Sequence, residues 1–266
     1  MTASPRRAER PPVVMVILAG IGLSVFVIPL IGLFGRVPWR RLPELLTGDL
    51  VGDALRLSLL TSLSATAISA VIGVPLAWVL ARVEFRGKAF VRGLVLLPLV
   101  LPPVVGGAAL LFALGRRGII GQPLDELTGI VLPFSTWGVV LAATFVAMPF
   151  LVITVEGALR NLDRRFEGAA ATLGAGRWRV LFRVTLPMIL PSVAAGLALT
   201  WARALGEFGA TITFAGNLQG RTQTLPLAVF VALENDRDTA IAVSVLMVIV
   251  SLAVLVGLRD RWWRSI

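Results

Sequence analysis

The sequence predicts an all-α integral membrane protein with six transmembrane helices and both termini on the cytoplasmic side. Three observations carry that prediction. Of 266 residues, 57% are hydrophobic and 15% charged, with a mean hydropathy of +0.88, whereas about a quarter of a soluble domain is charged. Six apolar stretches reach the length of about 20 residues that a helix needs to cross hydrocarbon. Finally, the 25 Lys and Arg are segregated between alternate loops.

An arm over residues 1–12 carries Arg6, Arg7 and Arg10 and precedes a first span at 13–34. A signal peptide is the competing reading, but this run is longer than the usual apolar core of about 7 to 15 residues and no small-x-small cleavage pattern follows. Further spans are expected at 57–81, 93–114, 129–155, 188–218 and 239–258, with a long loop at 156–187 and a tail at 259–266. Placing the N-terminus inside assigns 16 basic and six acidic residues to the cytoplasm and eight of each to the outside. The net charge of +10 therefore maps to the inner side, as the positive-inside rule requires. That excess orients the chain in a lipid bilayer and does not indicate a nucleic-acid partner.

The missing residue types restrict the chemistry. With no Cys and no His, thiolate nucleophiles, Cys-ligated zinc and the commonest general base are excluded. The lone lysine lies in Arg86-Gly87-Lys88-Ala89, which fails the phosphate-loop pattern because Ala89 is not Ser or Thr. An enzyme built on Asp, Glu, Ser or Lys alone is left open by these counts, but the chain is expected to hold no catalytic residue, metal or cofactor, and any ATP must be bound by another chain. An intramembrane enzyme is disfavoured. A secondary transporter or channel would lead one to expect internal repeats or several intramembrane ionisable groups, and only Arg203 and Glu207 lie deep within a span.

Features inside the spans leave two readings each. Pro98, Pro102 and Pro103 suggest a broken third helix, either as packing geometry or as a bend beside a pathway. Ser58, Ser62, Thr66, Ser69 and Gly73 give the second span one small polar face, which suits close helix packing or a hydroxyl-lined anion path. Arg203 and Glu207, one turn apart, can pair with each other, as a structural ion pair or as part of a gate.

The loop at 156–187 has its own pattern. Asp163 is placed to cap a short helix in which Phe166, Ala169, Ala170 and Leu173 share a face, with Gly174 as the stop. A second amphipathic piece with Trp178, Leu181 and Phe182 is expected to end before Pro187. An apolar edge among basic neighbours serves either to dock a partner or to lie on the anionic inner leaflet.

The string Glu167-Gly168-Ala169-Ala170-Ala171-Thr172-Leu173-Gly174, nine residues, then Val184-Thr185-Leu186-Pro187 resembles the EAA loop of ABC importer permeases. Ala169, Ala170, Gly174, Leu186 and Pro187 match in place; Gly168 occupies the glutamate position, with Glu167 one step early. Glu207-Phe208-Gly209-Ala210-Thr211-Ile212-Thr213-Phe214 and Arg221-Thr222-Gln223-Thr224-Leu225-Pro226-Leu227 are similar to the molybdate and sulfate branch, the first string closest to its molybdate members. The resemblance implies a type I importer permease fold. It also implies a homodimer, two separate ATPase subunits that carry ATP and magnesium, and an external molybdate-binding protein. Asp163 to Gly174 would then be a coupling helix. By the same analogy the fifth span and its neighbours line the path of a dianion, with Ser62, Thr66, Arg203, Glu207 and Thr211 as candidate pathway or gate residues. Sulfate and tungstate permeases are the alternatives.

Overall fold

The computed structural model describes residues 12–262, with side chains given through Ala253. Residues 1–11 of the N-terminal arm and the last four residues lie outside the described residues. Helices α1 (Val13–Phe34), α2 (Leu42–Thr47), α3 (Asp49–Arg82), α4 (Lys88–Val100) and α5 (Pro103–Leu114) lead to α6 (Gly121–Thr128) and α7 (Thr136–Asn161). They are followed by α8 (Arg165–Thr172), α9 (Arg177–Val180), a π-helical turn (Leu181–Thr185), α10 (Leu186–Leu205), α11 (Gly209–Phe214), α12 (Leu225–Asn235) and α13 (Arg237–Trp262).

Among the described residues four helices are long and apolar enough to cross a bilayer: α1, α3, α7 and the continuous segment Arg177–Leu205. The pair α4 and α5 makes a fifth candidate, bent by 120°. The bend falls where the proline cluster occurs. Pro102 and Pro103 lack the N–H donors a continuing helix would use, and Leu101 and Pro102 adopt extended backbone. Helix α13 carries the run at 239–258.

The core is a three-helix contact among α3, α7 and α10 made by small residues. Ala65 of α3, Val140, Ala143 and Ala147 of α7 and Ala204 of α10 pack together. At Gly196 an added Cβ would stand 2.9 Å from Leu151, so the glycine lets α10 approach α7 closely. Below this lies a larger aliphatic cluster of Leu80, Leu151, Val155, Leu159, Ile189 and Val193. Helix α1 has no buried residue and rests against α13. At 22 residues it is about 33 Å long, and its apolar circumference suits lipid.

Helix bounds differ from the expected runs in four places. Helix α3 begins at Asp49 rather than 57, because Arg56 and Asp53 lie on its exposed side while Val51 and Ala54 pack on Leu225 and Val243. Helix α7 begins only at Thr136, where the Ser135 hydroxyl accepts a hydrogen bond from the Gly138 amide and caps the first turn. It also continues to Asn161, so Glu156 belongs to this helix and not to the loop. The run at 188–218 is not one helix: α10 ends at Leu205, Gly206 to Phe208 break it, and the short α11 follows. Finally, the amphipathic piece around Trp178 does not stop before Pro187. It runs into α10 through the π turn, in which the Leu186 amide bonds to the Leu181 carbonyl. The wider turn accommodates the ring of Pro187 where an α-turn would clash.

Candidate coupling element and polar pathway

Helix α8 forms where the stripe of apolar residues places it. The N-cap is Arg164, which makes no side-chain cap bond; the expected cap Asp163 stands one residue earlier, and its carboxylate accepts the Arg165 amide at 2.9 Å in a turn that leads into the helix. At the other end Gly174 has φ +81°. The Gly174 amide donates to the Ala171 carbonyl and the Ala175 amide to that of Ala170, both at 3.0 Å, which is a Schellman motif with glycine at its left-handed position.

The apolar edge of this region is uncovered. Leu173 is 89% exposed, Trp178 73%, Phe182 59% and Phe166 53%, and Trp178 stacks on Phe182. Ala169 and Gly168 are exposed, Ala170 partly so. At the far end of the motif Leu186 is half-buried and Pro187 exposed. Contiguous apolar area of this kind, flanked by arginines, marks an interaction surface.

Glu167 behaves differently from its neighbours. Its Oε1 accepts from Arg82 Nη2 at 3.0 Å and from the Thr185 hydroxyl at 2.7 Å. The carboxylate therefore points back into the protein, joining α8 to the end of α3 and to the π turn before α10. Nearby, Glu156 is 6% exposed and is held by two guanidiniums, that of Arg92 on α4 and that of Arg160 at 3.3 Å. In the intervening hairpin the Lys88 ammonium beside Glu84 holds that carboxyl below the usual range. Sequence reasoning missed Arg82, Arg92, Glu156 and Thr185 as partners. The i, i+4 spacing of Glu156 and Arg160 was the one available signal.

The candidate pathway residues lie on α3, α10, α11 and the break between the last two; α10 packs on α3, whereas α11 packs on α5 and α7, so Thr211 is not brought together with Ser62 and Thr66. Ser62 is buried and its hydroxyl accepts from the Trp201 indole N–H at 2.9 Å. Thr66 is half-buried and donates to the Ser62 carbonyl. Arg203 Nη1 stands 2.7 Å from Glu207 Oε2. The other oxygen of Glu207 accepts the Ala210 amide at 2.8 Å, so the carboxylate caps α11 and neutralises Arg203 together. Thr211, fully buried on α11, leaves its hydroxyl without a protein partner. The serine face of α3 serves packing as well: Ser58 accepts the Leu225 amide at 2.7 Å, fixing the start of α12. Trp201 is a further residue that sequence reasoning did not assign, and Ser58 was placed on the small polar face without its partner, the Leu225 amide.

Helix α11 is pressed against α5. A Cβ at Gly107 would stand 2.7 Å from Thr213 Cβ and 2.8 Å from the Ala210 carbonyl oxygen, and one at Gly209 would stand 2.8 Å from Pro103 Cβ. The broken third span and the broken fifth region thus touch each other through glycines.

A bundle of apolar helices with an exposed amphipathic helix on its basic face is the architecture of a membrane transport subunit that is driven from the cytoplasm. Residues 73–264 match the family described as binding-protein-dependent transport system inner membrane component, and the chain belongs to that family. It is a multi-pass protein of the cytoplasmic membrane. Two relatives carry the name molybdenum transport system permease protein ModB. The one from Mycobacterium tuberculosis is 50% identical over 247 residues, covering 92% of this chain and 93% of the relative. The one from Escherichia coli K12 is 44% identical over 210 residues, covering 79% and 92%. In three dimensions the chain is similar to a subunit of a bacterial alginate ABC transporter solved in complex with an alginate pentasaccharide-bound periplasmic protein. That similarity has a TM-score of 0.77 at 19% identity and covers 94% of this chain and 93% of the other. It bears on the fold, which is that of an ABC importer permease.

Proposed function

We propose that this chain is the permease subunit of an ATP-driven importer of molybdate. The relatives' names, together with the Glu207 to Phe214 string, support that substrate. The observation that carries the mechanism is the uncovered apolar edge of α8 and α9, with Leu173 89% exposed among arginines on the side where positive charge accumulates.

In this reading six spans cross the membrane with both termini inside. A second copy of the chain completes the pathway, and an external molybdate-binding protein delivers the anion. Two ATPase subunits bind ATP and magnesium and receive α8 in a groove. The permease itself holds no cofactor and hydrolyses nothing. ATP-driven closure of the ATPases displaces α8, and the displacement rocks the helices between inward-open and outward-open arrangements. The dianion passes between the two copies. Hydroxyls such as those of Ser62, Thr66 and Thr211, with backbone amides, hold an oxyanion without the grip of a fixed cation. Arg203 does not supply that grip, because Glu207 neutralises it.

Docking is tested by replacing Gly174 and Ala170 with bulky residues and purifying the chain with its ATPase. Loss of the complex and of transport-coupled hydrolysis is the expected result. A complex that survives unchanged overturns the docking assignment. Sulfate and tungstate, dianions of the same shape, are the second reading; displacement of molybdate uptake by equimolar sulfate would favour it.

A further inference from the structure

The glutamate of the α8 region faces inward, and that direction assigns it a task separate from docking. The Glu167 carboxylate is 22% exposed and Arg82 9%. Three segments converge on this one oxygen: α8, the last residue of α3, and Thr185 at the head of α10. Its neighbours on α8, Phe166 and Gly168, remain exposed, so a partner can cover the helix without contacting Oε1. Among the described residues Glu167 is the carboxylate in ion-pair contact with Arg82, and the buried Arg82 Nε has no hydrogen-bond partner there. Beyond Arg82 the α3–α4 hairpin is tied a second time, by Arg92 to the buried Glu156 of α7.

We infer that Glu167, Arg82 and Thr185 form a transmission strut: the three-way contact makes α8 move with the ends of α3 and α10, and so converts displacement of α8 into rotation of the core helices. The inference rests on the permease reading above and adds positioning residues to it. Apart from the strut, α8 packs on α9 and the π turn and is joined to the bundle by two short non-helical connections, Leu162 to Arg164 before it and Leu173 to Gly176 after it. Without the strut an ATPase can shift α8 while passing less of that movement to α3 and to the head of α10. Losing the strut therefore lowers the amount of anion moved per ATP while docking persists.

The test uses the full complex of permease, ATPase and binding protein reconstituted in liposomes, with molybdate as the probe. Uptake and ATP hydrolysis are measured together for the wild type, Arg82→Gln, Glu167→Gln, the double variant and Arg82→Lys. The expected result is that each of the two Gln variants still co-purifies with the ATPase but imports roughly tenfold less molybdate per ATP, the scale of ordinary coupling between sites. The double variant should be no worse than either single one, and Arg82→Lys, which keeps the charge, should stay near the wild-type ratio. A purely structural role would lower yield and thermal stability and leave the ratio unchanged. The inference is overturned if the ratio is unchanged in both single variants, if the two losses multiply in the double variant, or if Glu167→Gln releases the ATPase, which would make Glu167 a docking residue. A wild-type complex that imports no molybdate sinks the permease reading first and this inference with it.

Discussion

Glu207 is the residue on which the structure makes its most demanding energetic statement. It is 2% exposed and serves two groups at once: the Arg203 guanidinium, whose Nη1 stands 2.7 Å from one oxygen, and the Ala210 amide near the start of α11, bonded to the other. Glu207→Ala removes both. Breaking one side of a buried ion pair costs about 3–5 kcal/mol. The Arg203 side chain, however, is 28% exposed, and solvent screening of the orphaned guanidinium lowers that to about 2–3 kcal/mol. Loss of the cap adds about 1 kcal/mol, for a total of about 3–4 kcal/mol. Glu207→Gln keeps an oxygen for the Ala210 amide and is expected to lose about half as much. Thermal unfolding of the purified protein in one detergent, with the three proteins compared side by side, measures the difference. If Glu207→Ala unfolds with the wild type, or if Glu207→Gln is as damaged as Glu207→Ala, the cap and the ion pair do not support α11 as described.

Other expectations follow from single contacts. Gly107→Val should drive α5 from α11, costing about 1–3 kcal/mol of stability, since a Cβ there already meets Thr213 at 2.7 Å. Gly93→Ala, inside α4 with nothing within 4 Å of the added methyl, should instead raise the unfolding temperature slightly, by about 0.5–1 kcal/mol of stability. Ser58→Ala strands the buried Leu225 amide and should cost about 1–3 kcal/mol, read in the same melting experiment. At the N-terminal end of α13, the Thr239 hydroxyl and amide bonded to Asp236 hold its carboxyl below the usual range. A depressed carboxyl stabilises the fold above its ordinary pKa and stops doing so as pH falls through the lowered value. Hydrogen exchange at the Thr239 amide should therefore lose protection on acidification through that range, and Asp236→Asn should remove the pH dependence.

Much of the fold was legible because membrane helices are coded by length. The run at 13–34 became α1 with the same bounds, and three prolines in six positions became a bend between Val100 and Pro103. The break after Leu205 was less visible, because the residues from Met188 to Leu218 read as one apolar stretch. What ends α10 is the local competition of Gly206 with the cap that Glu207 offers to α11. In the loop, periodicity placed α8 and its glycine stop correctly, because an apolar stripe and a left-handed cap are local features. The direction of Glu167 was not local: Arg82 lies 85 positions away, and in the sequence it counted only as one more inner-side charge. Glu156 was hidden similarly, since its partner Arg92 is brought to it by the α3–α4 hairpin.

In the proposed function, ATP hydrolysis outside this chain drives an oxyanion through it. The direct measurement is uptake of labelled molybdate into liposomes that contain the permease and its ATPase, with the binding protein supplied at the substrate-entry face. The expected result is accumulation that needs both ATP and the binding protein and persists when sulfate is present at equal concentration. Accumulation without ATP would place the chain among channels or secondary transporters, and no accumulation with every component present would overturn the importer reading outright.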